Sequence, residues 1–135
     1  MKKVVTVGVF DMLHIGHILL FQHIKEMVGD CYLIVAVQEE SVIKKYKPDT
    51  DVFYSDEERQ YMVAALKYVD EVTTYRDVDV DIQEMDFDIF AKGPDQNHTG
   101  FLRAVEWCKS HGKEVLEIPR TEGISTTMIK GIKGK

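Results

Sequence analysis

At 135 residues and a formal net charge of −6, the chain has room for one domain of about five strand-helix units, and its acidity argues against general nucleic-acid binding, which needs a basic footprint. No apolar run reaches the roughly 18 residues of a membrane span, and Met1-Lys2-Lys3 leads straight into a strand pattern, so a cytoplasmic protein with no membrane partner is expected. Cys31 and Cys108 lack metal-ligand spacing and read as free thiols. Val4 to Phe10 is β-branched and nearly all apolar, which suits a strand buried on both faces of a parallel sheet. Ile18 to Val28 has helical spacing, with Leu20, Ile24, Met27 and Val28 on one stripe. Between them Asp11-Met12-Leu13-His14-Ile15-Gly16-His17 places two histidines at a helix start, where backbone N–H groups lack partners and the dipole favours phosphate. His14 and His17, three residues apart, face the same way, and Gly16 leaves the backbone bare for close approach. Such a pair can also be a metal pair or plain surface histidine; the strand-Gly-Phe-Asp context favours charge stabilisation on phosphorus.

Gly29-Asp30 is a helix stop, and Cys31 to Val37 reads as a second buried strand, completing a βαβ unit with a right-handed crossover. Gln38 to Ser41 then leaves the sheet at its carboxyl edge, where open α/β folds bind ligands. Residues 42 to 54 show no clean period and read as a loop, in which Lys44, Lys45 and Lys47 are either solvated charges or a triphosphate contact. Ser55 and Glu58 form a capping box, so a helix starts there with Met62, Ala65, Leu66 and Val69 as its stripe. Arg59 lies at the end of that stripe and needs a partner, either a carboxylate such as Asp70 or Glu57 or a bound phosphate.

A third strand begins near Glu71, and the acidic stretch Arg76 to Glu84 favours a short irregular helix. Phe87 to Ala91 is the fourth strand and runs into Lys92-Gly93-Pro94-Asp95-Gln96-Asn97-His98-Thr99, where His98 is an exposed loop residue or an acceptor contact. The next helix carries Phe101, Ala104, Val105 and Cys108 inward, with Trp107 off the stripe, and Lys113 to Ile118 is the fifth strand. Beyond it Arg120, Thr121, Gly123, Ser125 and Thr126 suggest a turn and a capped helix start, a second phosphate-binding end.

Gly8-Val9-Phe10-Asp11-x-x-His14-x-Gly16-His17 resembles the signature of the cytidylyltransferase family of HxGH nucleotidyltransferases, and Arg120-Thr121-Glu122-Gly123-Ile124-Ser125-Thr126-Thr127 resembles that family's second signature. The resemblance implies one doubly wound, Rossmann-like α/β domain spanning residues 1–135, with a five-stranded parallel sheet. It implies transfer of CMP from CTP to a phosphomonoester, with glycerol 3-phosphate as acceptor, giving CDP-glycerol and pyrophosphate. On this basis His14 and His17 stabilise the α-phosphate, and Asp11 orients the site or helps place Mg²⁺. Lys44, Lys45 or Lys47, with Arg120, Ser125 and Thr126, hold the outer phosphates. Val9, Phe10, Gly16, Asp95, Thr121 and Ile124 join the nucleotide site, Arg59 and Lys67 meet acceptor phosphate, and the protein is a homodimer. No direct side-chain metal signature is present. Two departures stand out: Lys67 replaces an arginine, and Gly93-Pro94-Asp95-Gln96 replaces Gly-Asp-Asp followed by an aromatic residue. The open alternatives are a cytidylyl- or adenylyltransferase with another acceptor, and a nucleotide-binding regulatory domain without turnover.

Overall fold

The computed structural model describes residues 1–49 and 51–119. Strand and helix alternate along them. The strands are β1 (Lys2–Gly8), β2 (Cys31–Gln38), β3 (Glu71–Tyr75), β4 (Ile89–Lys92) and β5 (Glu114–Glu117). The helices are α1 (Ile15–Val28), α2 (Glu40–Tyr46), α3 (Asp56–Ala64), α4 (Val78–Asp81) and α5 (Thr99–Ser110), with a 3₁₀ turn at Ile82–Glu84. All pairings are parallel and the order is β3-β2-β1-β4-β5, so the chain winds outward from β1 in one direction and then returns to wind in the other. The reversal falls between β1 and β4, and their carboxyl ends mark the place where such folds take ligands.

The alternation of side chains on β1 explains the two layers. Val4 faces a core with Phe21 and Ile24 of α1 and Val63 of α3, while Val5 and Val7 face a second core with Val78 of α4 and Phe101 and Ala104 of α5. Val4, Val5 and Leu33 are wholly buried, each worth about 1.5–3 kcal/mol of transfer free energy. The run of apolar residues in β1 and β2 thus reflects burial on both faces, as the sequence pattern implies. This is the single α/β domain with a five-stranded parallel sheet expected from the sequence.

Three local expectations are corrected. Residues 40–46 are helical, because Val42 and Ile43 bury against the domain and Glu40 sits in the first turn. On α1 the inward line is Phe21 and Ile24, and Met27 is exposed. Helix α3 ends at Ala64, and its buried residues are Arg59 and Val63, one turn apart, rather than Met62 and Ala65. The irregular helix in the acidic stretch is present as α4 and the 3₁₀ turn, and Ser55 caps α3 through Glu58 as its spacing requires. Among the described residues no helix is long and apolar enough to cross a membrane.

Candidate active site

The loop from β1 to α1 ends in an imidazole cap. His14 is the N-cap of α1, and its Nδ1 accepts the Gly16 N–H at 2.9 Å, while the Nδ1 of His17 accepts the His14 N–H at 3.2 Å. This is a reciprocal capping box built from two imidazoles instead of a hydroxyl and a carboxylate. A ring nitrogen that accepts a hydrogen bond carries no proton, so each neutral ring holds its proton on Nε2. The ring centroids are 4.0 Å apart, inclined by 31°. Burial lowers the pKa of His14, and burial followed by the neighbouring His14 lowers that of His17 to about 4. At neutral pH the helix mouth therefore presents two uncharged N–H donors. The expected cradle of free backbone N–H groups is partly used up internally, since Gly16 N–H serves His14 and His17 N–H bonds the His14 carbonyl at 3.0 Å.

Phe10 supports this pair from below. Its ring meets His17 edge-on at 5.2 Å and Phe21 at 5.5 Å, and it is buried, so it packs the site instead of lining an open pocket. Phe10 has φ 51°, a left-handed conformation that costs a bulky residue about 1–3 kcal/mol. Gly8 makes room for it: a Cβ on Gly8 would lie 2.8 Å from Phe10 Cζ. Gly8 is thus a structural requirement of the site that sequence reading left without a role; the signal was a glycine closing a β-branched strand two residues before an aromatic.

Asp11 accepts the backbone N–H groups of Phe53 at 2.8 Å and Tyr54 at 2.9 Å, one on each carboxylate oxygen. It therefore ties the segment before α3 to the histidine loop. Arg59, expected to meet either a carboxylate or an acceptor phosphate, is held by groups of the chain itself. Its side chain is fully buried and donates from Nε to the Tyr54 carbonyl at 3.2 Å and from Nη1 to the carbonyls of Val9 at 3.0 Å and Gln38 at 2.6 Å. Nη2 pairs with Asp56 Oδ1, which also accepts the Glu40 N–H at 2.8 Å. The guanidinium joins the ends of β1 and β2 to α2 and α3 from beneath, and the partner is a carboxylate, as one alternative held. The Val9 carbonyl is used in the same way.

Lys67 lies in the turn after α3, next to Asp70, whose N–H bonds Leu33 near the amino ends of the strands. Its ammonium sits 5.1 Å from the Tyr68 ring. Lys44, Lys45 and Lys47 are all exposed on or just after α2, with Lys44 paired to Glu40 at 3.1 Å. Among the described residues no group of three metal-ligating side chains is close enough to hold an ion. Arg120, Thr121, Ile124, Ser125 and Thr126 lie outside the described residues.

Across the switch point, the loop from β4 to α5 carries exposed Asp95 and a second histidine cap. His98 is the N-cap of α5, and its Nδ1 accepts the Gly100 N–H at 3.1 Å. Lys92, buried at the end of β4, donates to Asn97 Oδ1 at 3.2 Å and lies 3.8 Å from Glu117. Gln96 bonds both Gly93 and Val7 with its side-chain amide. The arrangement can donate neutral hydrogen bonds from one helix mouth to an anion held at the end of the sheet.

Comparison with known proteins gives a consistent picture. The family model described as cytidylyltransferase-like matches residues 5–132. The glycerol-3-phosphate cytidylyltransferase of Bacillus subtilis (strain 168) is 40% identical, the match covering 96% of this chain and 95% of that protein. The enzyme of the same name from Staphylococcus aureus (strain NCTC 8325 / PS 47) is 38% identical, covering 96% and 93%. Among solved structures, the lipopolysaccharide core biosynthesis protein from Thermoplasma volcanium GSS1 superposes with a TM-score of 0.70 at 26% identity, covering 90% of this chain and 97% of the other.

Proposed function

The chain belongs to the cytidylyltransferase-like family of nucleotidyltransferase enzymes, and from that premise we propose that it transfers CMP from CTP to glycerol 3-phosphate, giving CDP-glycerol and pyrophosphate. An oxygen of the acceptor phosphate attacks the α-phosphorus of CTP, a new P–O–P link forms, and the bond to the β-phosphate oxygen breaks to release pyrophosphate. No covalent enzyme intermediate is required, since positioning and electrostatics carry such transfers.

The observation that carries this reading is the imidazole pair with both Nδ1 atoms occupied by backbone N–H groups. Two neutral Nε2–H donors at the reversal of the sheet can follow negative charge as it builds on the α-phosphate oxygens. An arriving polyanion raises the pKa of both rings, which strengthens them as donors where charge is greatest. Asp11 and Arg59 fix the loop that holds them. In this reading the exposed lysines of α2 meet the outer phosphates together with Arg120, Ser125 and Thr126, and Asp95 lies on the nucleotide side of the opposite loop. Mg²⁺ would enter bound to the triphosphate and neutralise part of its charge. The enzyme acts in the cytoplasm, where its nucleotide is available, as a homodimer, and sedimentation of the purified protein tests the dimer.

A second reading, another phosphomonoester as acceptor, is favoured by Gly93-Pro94-Asp95-Gln96, which keeps the second acid of the Gly-Asp-Asp-aromatic pattern it resembles but lacks the first acid and the aromatic. Pyrophosphate release measured with CTP or ATP against a panel of phosphate esters separates the two. Turnover of CTP with glycerol 3-phosphate supports the first; turnover with ATP alone removes the cytidylyl assignment, and CTP binding without pyrophosphate release makes the protein a nucleotide sensor.

A further inference from the structure

The ladder between β1 and β4 is short, pairing Val4 with Ile89 and Val5 with Phe90. Continued by two residues it would set Val7 against Lys92, and a parallel ladder would then join the Gly93 N–H directly to the Val7 carbonyl. The other side of β4 fixes the same directions independently. Ile118 N–H donates to the Lys92 carbonyl at 2.8 Å, so Lys92 turns its backbone groups toward β5 and Gly93 turns its N–H toward β1. In the structure the side-chain amide of Gln96 stands between those two groups: Gly93 N–H donates to Oε1 at 3.0 Å, and Nε2 donates to the Val7 carbonyl at 2.8 Å. One acceptor and one donor on opposite sides leave a single orientation for the amide.

We propose that Gln96 is a positioning residue, a wedge that ends the β1–β4 ladder at the reversal of the sheet and sets the distance between the histidine loop and the β4–α5 loop. Two hydrogen bonds and an amide replace one hydrogen bond, so the strands part without leaving either backbone group unpaired. The crevice for the nucleotide is therefore held open by a side chain instead of by slack in the sheet. Asn97 and His98 follow on the same loop and bond locally to Pro94, Lys92 and Gly100, so the wedge fixes the base of an already braced turn.

This inference rests on nucleotidyl transfer for its kinetic arm alone. In the wild-type protein without ligands, the Gln96 side-chain amide should give a resolved pair of ¹⁵N–¹H signals, one proton protected from exchange; a freely exchanging pair overturns the wedge whatever the substrate proves to be. For kinetics, Gln96→Glu keeps the acceptor for Gly93 but faces the Val7 carbonyl with oxygen, and Gln96→Met keeps length and removes both bonds. Assayed with whichever triphosphate and phosphomonoester the wild type turns over, each folded variant should raise KM for the nucleotide about tenfold, with kcat also lowered. Variants with wild-type KM and kcat, or with a lower melting temperature and unchanged kinetic constants, contradict the proposal.

Discussion

Two helix mouths face the reversal of the sheet, and they are built alike up to their fourth residue. At α1 the order is His14-Ile15-Gly16-His17, and at α5 it is His98-Thr99-Gly100-Phe101. In both, the first imidazole caps the helix by taking a glycine N–H two residues on. At α1 the fourth residue returns the bond, so a second imidazole lies tilted beside the first and is held neutral by burial. At α5 the fourth residue is Phe101, whose ring meets His98 edge-on at 4.5 Å and faces the apolar core. Local capping is thus a common device that helix ends need in any protein. The second imidazole, with Gly8 and a strained Phe10 beneath it, is what sets the α1 mouth apart, and in the proposed function it is what turns that end toward phosphate chemistry.

The largest effect expected from this asymmetry is kinetic. His17→Ala should lower kcat by about 10²–10³ while the fold survives, as loss of a preorganised donor to a developing oxyanion does; an unchanged rate of pyrophosphate release would remove the histidines from the chemistry. Next in size is a stability effect beneath the same mouth. Arg59→Met leaves three carbonyls and the Asp56 carboxylate without their donor, and should cost about 3 kcal/mol in urea unfolding. A variant with normal stability and a selective rise in KM for the acceptor would make Arg59 a substrate contact.

A pH dependence follows from His17. Its folded pKa, about 4, lies below the ordinary histidine value of 6.5, so the unfolded chain binds the proton first. The stability tied to the neutral ring is present in full above pH 6.5 and is lost as pH falls from there toward 4, of order 2–3 kcal/mol over the whole range. Melting temperatures between pH 7 and 4 should fall less steeply in His17→Asn than in the wild type; equal slopes contradict the buried neutral ring. The smallest effect belongs to the other mouth. His98→Ala removes a cap and should cost about 1 kcal/mol with the rate within tenfold, and a rate loss equal to that of His17→Ala would make the two mouths functional equals.

Much of this was legible in the sequence because it depends on local spacing. The strand-helix alternation, the glycine stop at Gly29, the capping box at Ser55 and the histidine pair at a helix start are all written within a few neighbouring residues. Helix α2 was hidden because only Val42 and Ile43 mark its buried side among lysines and polar residues. The fate of Arg59 could not be read, since its acceptors Val9 and Gln38 come from the ends of two strands far from it in the chain. Gln96 is further still from its partner Val7 in the chain, and a glutamine in a polar loop carries no sign that its amide will end a ladder. The shared logic of His14 and His98 is not written in the sequence, because which nitrogen accepts depends on a backbone N–H that only the folded turn brings near.

The claim on which the rest depends is that both imidazoles of the α1 mouth are neutral, with their protons on Nε2. Long-range ¹⁵N–¹H correlation spectra of the histidine rings at pH 7 report this directly. His14 and His17 should both show an unprotonated Nδ1 and a protonated Nε2, with His17 keeping that pattern down to about pH 5. An imidazolium at either position at pH 7, or a proton on either Nδ1, would contradict the account.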